Sequence, residues 1–341
     1  MAAPERVVVA CVAENTPRFH HEVVYLFKSL RYFGGRLADA PGIVYFVGSV
    51  NAEVAATLAA LDVTVQIVDR LDERCPHANK IQMLDDTKDH DYLVAVDTDI
   101  VVVRDFSFQL IGNSIAAKPA DSDPLTLVQW QKIFGYFNLQ LPQTRCLTSF
   151  TLSETIPYFN SGVIVIPRMW VSRLRTLWRE YIVRLLDAYG DLVEIEEHRF
   201  FTDQIALSLA IARGEMPIRE LPLEMNFPIH HPVHDALEPT RIAPWLLHHH
   251  HRWSDSNRLA DCCYENINRE IRRIHAALST NGAPESVSDS SAASALSSLG
   301  NGSISENRHE TDPGFESTIC SCGANLDYKI ASHNRKGPSG G

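Results

Sequence analysis

Strand-like and helix-like patterns alternate along the first hundred residues. Four short runs are rich in β-branched and other apolar residues, as is typical of buried strands, and they are residues 6–13, 42–48, 63–69 and 92–97. Between them, apolar positions recur at helical spacing in residues 18–33, 51–61 and 78–88. This alternation predicts an α/β fold in which helices cover a mainly parallel sheet.

The second half of the chain is less regular up to a strand predicted at residues 162–166. An apolar stripe then recurs at helical spacing, and we interpret it as the core-facing side of a helix. Its members are Trp170, Leu174, Leu177, Trp178, Tyr181, Ile182 and Leu185. Further on, helices are predicted at 200–212 and 257–278, and extended segments at 217–223 and 241–247.

Composition changes sharply after the last predicted helix. Residues 279–305 are mostly Ser, Ala, Gly and Asn, which bury too little apolar surface to offset chain entropy, so we expect a disordered linker. The predicted organisation is therefore a folded domain at 5–278, the linker at 279–305 and a disordered tail at 306–341.

The overall composition is that of an ordinary globular protein. Of the 341 residues, 45% are hydrophobic and 21% are charged, which argues against collagen-like, wholly disordered and disulfide-scaffold classes. The net charge of −11 argues against a surface built for nucleic acid or anionic lipid, because both bind clustered cations. A phosphate-bearing ligand would then need a local positive charge, such as that of a metal ion.

Targeting signals and cysteine usage bear on the compartment. The start of the chain lacks the cationic and apolar segments of an export signal, and no apolar run approaches the roughly 18–20 residues that cross a bilayer. Seven cysteines, an odd number scattered along the chain, are typical of reduced thiols. We expect a cytoplasmic protein without a membrane span, and its oligomeric state stays open.

The most informative segment is an acidic turn after the fourth strand, in the sequence YLVAVDTDIVVVRD at residues 92–105. Asp97 and Asp99 stand one residue apart where the strand ends. Ligands of open α/β sheets bind beyond the carboxyl ends of the strands, and two carboxylates there can share a divalent cation that neutralises a diphosphate. Taken alone, the motif also fits a solvated acidic turn.

Four motifs, in this order, resemble glycosyltransferases of the GT-A fold, particularly glycogenin-like nucleotide-sugar transferases and related bacterial enzymes. The motifs are the DTD turn preceded by HANKIQML, then FNSGVIVIPR, FFTDQIALSLA, and LPLEMNFP followed by WLLHHHHRW. They extend over about residues 5–275. The resemblance implies a Rossmann-like mixed sheet flanked by helices, and transfer of a sugar from a nucleotide-sugar donor to the hydroxyl of an unidentified acceptor.

The resemblance also implies which residues hold the metal and the donor. Asp97, Thr98 and Asp99 would lie at the ion, the ribose and the phosphates, with Mn²⁺ or Mg²⁺ as the ion. A histidine of the run at 248–251 would complete the metal shell, although four consecutive histidines cannot all face one ion. The predicted metal ligands are Asp97, Asp99, His248 as the first choice among the histidines, and His250 as the second.

Three further residues are predicted to bind the donor. Lys80 lies near the start of the helix before the DTD strand, where a helix N-terminus also favours anions, and it is the best-placed cation for the phosphates. Glu14 and Asn15 follow the first strand, where this fold commonly holds the base. A solvated lysine and a plain loop are the alternatives.

Polar residues in the second and third motifs are predicted to act on the sugar. Asp203 and Gln204 lie in an otherwise apolar helix, and a buried carboxylate is costly without partners. A helix-start cap supported by Thr202 is the alternative for Asp203. Asn160 and Ser161 precede a glycine and are placed either to bind sugar hydroxyls or to form a turn. We assign catalytic roles to Asp203, Gln204 and Asn160.

The stereochemistry and the acceptor are less determined. Inversion would require a carboxylate base near the acceptor hydroxyl, whereas a retaining enzyme of this fold can lack an obvious one, and the family likeness favours retention. The acceptor pocket is expected from variable loops within residues 118–158.

Other functions remain open. The sequence VAVDTDIVV also satisfies the Asp-x-Asp-x-Val pattern of haloacid-dehalogenase-like phosphatases, with Asp97 as the nucleophile, but that motif normally ends the first strand of its sheet. A sugar nucleotidylyltransferase would need a glycine-rich phosphate loop that residues 10–17 lack. A non-catalytic metal-binding module is the remaining alternative.

The tail contains a second resemblance. Residues 305–330 look like a degraded version of the TDP-x-x-GSG-x-GSRG-x-x-x-x-YK lead-in to some methyltransferase domains. Cys320, Ser321 and Cys322 depart from its glycines, and too little sequence follows for such a domain. No activity is assigned to this segment.

Overall fold

The computed structural model describes residues 6–84, 89–254 and 256–280. The predicted linker beyond residue 280, the tail and its methyltransferase-like segment lie outside the described residues.

Twelve strands and six α-helices make up the described part of the chain. The strands are β1 (Val7–Glu14), β2 (Gly42–Val47), β3 (Val63–Val68), β4 (Tyr92–Val96), β5 (Ile100–Val102), β6 (Ile115–Pro119), β7 (Cys146–Leu147), β8 (Glu154–Thr155), β9 (Phe159–Pro167), β10 (Ile218–Glu220), β11 (Phe227–Pro228) and β12 (Leu246–His248). The α-helices are α1 (Pro17–Phe33), α2 (Ala52–Ala60), α3 (Leu127–Tyr136), α4 (Arg168–Ala188), α5 (Thr202–Gly214) and α6 (Glu265–Thr280). The 3-10 helices are Gly35–Leu37, Pro76–Leu84, Ser107–Gln109, Val193–Phe201, Leu223–Asn226, Asp235–Leu237 and Pro239–Arg241.

The central sheet has seven strands in the order β10-β6-β9-β4-β1-β2-β3. Parallel pairing joins β1 to β2 and β4, β2 to β3, and β6 to β10. Strand β9 runs antiparallel between β4 and β6. The predicted mixed, mainly parallel sheet is therefore confirmed.

Apolar residues fill both faces of this sheet. Along β1, Val8 and Ala10 join one buried cluster, whereas Val9 and Cys11 join the other. Helices α3, α4 and α5 contribute to the first cluster, and α1 and α6 contribute to the second. Because both faces are covered, the strands are nearly continuous apolar runs, which is why they can be predicted from the sequence.

The predicted stripe of α4 is confirmed as a core-facing side. Five of its members are buried, and the other two, Trp170 and Leu177, are partly buried against the same cluster. The buried members are Leu174, Trp178, Tyr181, Ile182 and Leu185.

Two predicted helices differ from the structure. Of the helix predicted at 78–88, the described part belongs to the 3-10 helix Pro76–Leu84, in which Ala78, Ile81 and Leu84 are buried at the three-residue spacing that this winding requires. The helix predicted at 257–278 begins only at Glu265. Before it, Asn257 has a φ of 54°, and Leu259 forms a β-bridge with Trp253, so the backbone cannot be helical there.

No helix of residues 6–84, 89–254 and 256–280 combines the length and the apolar character needed to cross a membrane.

Truncation of Leu174 tests the assignment of the α4 stripe. The Leu174→Ala variant should lose about 2–5 kcal/mol in free energy of unfolding, because it removes fully buried methyl groups and leaves a cavity. Its exposed neighbour Arg173 is the control, and Arg173→Ala should change stability by less than about 0.5 kcal/mol. Urea denaturation followed by circular dichroism measures both, and equal losses would contradict the assignment.

Candidate active site

Three separate segments converge at the acidic turn between β4 and β5. The Asp97 N–H donates to the Gly162 carbonyl oxygen of β9 at 2.9 Å, and the His249 N–H donates to the Asp99 carbonyl oxygen at 3.0 Å. Only glycine fits at position 162 in this arrangement, because a Cβ there would lie only 2.7 Å from His248 Cε1. The turn, the start of β9 and the histidine run therefore meet by backbone contacts.

Asp99, His248 and His250 form the candidate metal group. One ligand atom from each lies within 4.8 Å of the others, in the only such group of three among the described residues. His248 Nε2 is 3.2 Å from Asp99 Oδ1, and the rings of His248 and His250 stack with centroids 3.7 Å apart. His250 Nε2 is buried and has no hydrogen-bond partner, which is an arrangement that an added cation would satisfy.

The protonation states of His250 and Asp99 suit cation binding. Burial, together with the charges of His248 and His230, lowers the pKa of His250 well below its usual value, so its imidazole is neutral at pH 7. Burial also opposes ionisation of Asp99, but the charge of His248 and its hydrogen bond outweigh this and lower the pKa of Asp99. A neutral imidazole and an ionised carboxylate are the forms that bind metals.

A second group surrounds the ammonium of Lys80. Lys80 Nζ donates to Asp97 Oδ2 at 2.8 Å and to Ser161 Oγ at 2.9 Å, and it lies 3.3 Å from Asp203 Oδ2. Ser161 Oγ in turn donates to Asp203 Oδ2 at 2.8 Å. Burial alone would raise the pKa of Asp203, but the charge of Lys80 keeps that pKa below its ordinary value. Asp203 is thus an ionised carboxylate with partners, and Gln204 lies half-buried beside it.

Glu22 on α1 is bonded to Thr98 in the acidic turn, and none of the sequence motifs includes it. Its buried carboxylate accepts from Thr98 Oγ1 and is bonded to His251 Nδ1, both at 2.6 Å. Burial lowers the pKa of His251, but the bond to Glu22 and the charge of Asp99 outweigh it and raise the pKa above its usual value. Thr98 therefore faces inward to Glu22.

A buried polar network leads away from His248. His248 Nδ1 is 2.9 Å from Asn226 Oδ1, and Asn226 Nδ2 donates to Asn160 Oδ1 at 3.0 Å. Asn160 Nδ2 donates to Asp121 Oδ2 at 3.4 Å, and Asp121 pairs with the buried ammonium of Lys118. Asn160 therefore lies near the candidate metal group, and its action on the sugar stays a prediction. Asn226 lies in the motif LPLEMNFP without an assigned role, whereas Asp121 and Lys118 lie outside the motifs.

Glu14 and Asn15, which are predicted to bind the base, form polar contacts with other residues of the chain. Glu14 Oε1 pairs with Arg70 Nη1 at 2.8 Å. Asn15 Nδ2 donates to Ser49 Oγ at 2.8 Å, and its Oδ1 is 2.7 Å from His20 Nε2. Both lie at the carboxyl end of β1, so their role at a base remains a prediction.

Comparison with known proteins relates this chain to glycosyltransferases. A family model described as the Rhodobacterales glycosyltransferase domain matches residues 9–215. Comparison with curated protein sequences gives no match. Among solved structures, an active-site mutant of LgtC is 14% identical with a TM-score of 0.50, and the match covers 82% of this chain and 98% of that chain. This likeness confirms the predicted GT-A fold.

Two further solved structures are similar at lower scores. The galactosyltransferase LgtC in complex with donor and acceptor sugar analogs is 15% identical with a TM-score of 0.48, covering 82% of this chain and 98% of that chain. Mouse xyloside xylosyltransferase 1 is 12% identical with a TM-score of 0.44, covering 74% of this chain and 99% of that chain.

The ion pair of Asp203 with Lys80 makes a pH-dependent prediction. At pH 7, Asp203→Ala should cost about 3–5 kcal/mol of unfolding free energy, because it leaves a buried ammonium with one fewer partner. Since the pKa of Asp203 is lower in the folded protein than its usual 3.8, its contribution is present above about pH 4 and is lost as the pH falls through the folded-state value.

Urea denaturation at a series of pH values from 7 to 3 measures this difference. The gap between wild type and Asp203→Ala should narrow below about pH 4. Asp39, an exposed carboxylate, is the control, and Asp39→Ala should stay within about 0.5 kcal/mol of wild type at pH 7. A gap that is constant with pH would show that Asp203 is not stabilised as an anion.

Proposed function

We propose a function for this chain on one premise: it belongs to the Rhodobacterales glycosyltransferase domain family and is a glycosyltransferase. Its reaction is the transfer of a sugar from a nucleotide-sugar donor to an acceptor hydroxyl, assisted by a divalent metal ion and with retention at the anomeric carbon. The proposed metal dependence rests on one observation: ligand atoms of Asp99, His248 and His250 lie within 4.8 Å of one another.

These three residues would hold the ion. A carboxylate and two imidazoles suit Mn²⁺ better than Mg²⁺, because imidazole is softer than the ligands that Mg²⁺ prefers. When bound, the ion neutralises negative charge on the departing nucleoside diphosphate. Asp97 has one oxygen bonded to Lys80, so its other oxygen, Oδ1, is the one offered to the ion or the ribose.

Lys80 and the end of β1 bind the rest of the donor. The ammonium of Lys80 lies between Asp97 and Asp203, at the boundary between the proposed diphosphate and sugar positions. It brings a fixed positive charge to a site that is otherwise rich in carboxylates, and this charge attracts the phosphates. Glu14 and Asn15 contact the base.

The sugar lies over Ser161, Asn160, Asp203 and Gln204. Asp203 is ionised and held by Lys80 and Ser161, so its carboxylate accepts hydrogen bonds from sugar hydroxyls in a fixed geometry. It also offers negative charge to the positive charge that develops at the anomeric carbon. Gln204, next to it on α5, presents an uncharged amide, which agrees with a retaining enzyme that lacks a carboxylate base at this position.

The acceptor approaches from the side of residues 118–158. This segment contains α3, the β7–β8 hairpin and Asp121, which is hydrogen-bonded to Asn160. Variable connecting segments of this kind commonly determine which partner molecule fits.

Removal of the metal ligands tests the metal dependence. Asp99→Ala and His250→Ala should each slow donor hydrolysis by about 100-fold or more in saturating MnCl₂, because several kcal/mol of charge stabilisation are lost. The control is His231→Ala, which removes a neighbouring imidazole that stacks on Phe150 outside the metal group. Nucleotide release from a panel of UDP-, GDP- and ADP-sugars is measured with MnCl₂ and with EDTA. Undiminished hydrolysis in EDTA would refute the metal requirement.

Retention has its own test. Proton NMR of the first product formed from the preferred donor should show the anomeric configuration of the donor, recorded before mutarotation equilibrates a free sugar. Inverted product would instead require a base near the acceptor hydroxyl, and Asp121→Asn, compared with wild type, then tests the carboxylate that is hydrogen-bonded to Asn160.

A further inference from the structure

We propose that Asn226 is a positioning residue that fixes the tautomer of His248 and thereby presents the Nε2 of His248 to the metal ion. This inference rests on the proposed function, since His248 acts as a ligand only if the site binds a metal. Nothing in the sequence motifs assigns a role to Asn226.

The backbone places Asn226 beside His248. Asn226 ends a 3-10 helix and is followed directly by β11. Strand β11 pairs in parallel with β12, where Pro228 stands opposite His248. The Asn226 side chain is 1% exposed, so its amide has only protein partners at hand. A buried amide with fixed partners has a defined orientation.

The orientation of the Asn226 amide follows from a backbone N–H group, which can only donate. The Gly162 N–H donates to Asn160 Oδ1 at 2.8 Å, which identifies this Asn160 atom as the oxygen. The Asn226 side chain approaches the same oxygen at 3.0 Å and must therefore donate with Nδ2. The Oδ1 of Asn226 then faces His248 Nδ1 at 2.9 Å.

The proton of His248 is fixed by the same reasoning. Asn226 Oδ1 can only accept, so His248 Nδ1 must carry a hydrogen. Because Nδ1 keeps its hydrogen, Nε2 is the nitrogen that gives up its proton and offers a lone pair when a metal ion binds. Nε2 is the atom that lies 3.2 Å from Asp99 Oδ1, within the candidate metal group. Metal-binding histidines commonly donate their other N–H in this way, and such partners tune metal affinity.

The ring is also held in place. Gly162 lies against the imidazole, with the position of a Cβ only 2.7 Å from His248 Cε1, and His250 stacks on the ring. Packing thus restrains the plane of the ring, whereas Asn226 decides which nitrogen is free. These two functions can be separated by substitution.

Two substitutions of similar size separate the acceptor from the packing role. Asn226→Leu removes the acceptor, whereas Asn226→Asp keeps an oxygen facing His248 Nδ1, and both remove the Nδ2 donor to Asn160. Isothermal titration of each metal-free protein with MnCl₂, without any donor, measures affinity. We expect Kd to rise about 10–100-fold for Asn226→Leu and to stay near the wild-type value for Asn226→Asp. Equal loss in both variants, or no loss in either, would overturn the positioning role while leaving the proposed function intact.

A measurement on the wild-type protein keeps the test independent of whether the Asn226 variants fold. In ¹⁵N-histidine-labelled, metal-free protein, two-bond ¹H–¹⁵N correlation should show a protonated Nδ1 for His248, whose signals are identified by their loss in His248→Gln. A bare Nδ1 would overturn the inference. Absence of Mn²⁺ binding by the wild type would overturn both this inference and the metal-dependent part of the proposed function.

Discussion

The antiparallel pairing of β12 with β5 is the contact on which the whole site depends. It aligns His248 with Ile100, the residue directly after the acidic turn, and the Asp99 carbonyl oxygen accepts from the next backbone N–H of the run. Two segments distant in the sequence are thereby held in one register, so their side chains meet in a fixed arrangement. A one-residue slip would place His248 on the other face of the strand and disperse the group.

Buried charge is the second constraint, and every carboxylate of the site has at least one polar or charged partner. Asp203 and Asp97 share Lys80, Asp99 faces His248, and Glu22 is bonded to Thr98 and His251. Removing charges from water is costly, and well-placed partners offset that cost. Because Asp97 and Asp99 have different partners, the two acids of one turn occupy different electrostatic surroundings. Such preorganised charges need no rearrangement when a charged substrate arrives.

The sequence indicated the framework well because the sheet is buried on both faces. Continuous apolar runs mark β1, β2 and β4, and the helical stripe marks α4, since in each case burial imposes a visible period. Helix α3 was also detectable in principle, because Thr126 and Gln129 form a capping box at its start.

Parts of the site were not detectable in this way. Glu22 and Asn226 occupy ordinary positions in their own elements, and their importance comes from partners far along the chain. Glu22 is 76 residues from Thr98 and 229 residues from His251, whereas Asn226 is 22 residues from His248. Periodicity reports local burial, and it carries no information about which polar groups the fold brings together. The acidic turn and the histidine run were found because they are motifs in themselves.

The backbone after β12 explains why the run contains four histidines. In a continued strand, the side chains of His248 and His250 would stand on one face about 6–7 Å apart. Instead, His250 and His251 have φ values of 44° and 61°, a left-handed conformation that is uncommon for residues other than glycine. The rings of His248 and His250 stack with centroids 3.7 Å apart. The bond from His251 to Glu22 holds this turn, and His249 packs against Trp253. Two histidines thus belong to the candidate metal group, while His251 holds the turn through Glu22 and His249 packs on Trp253.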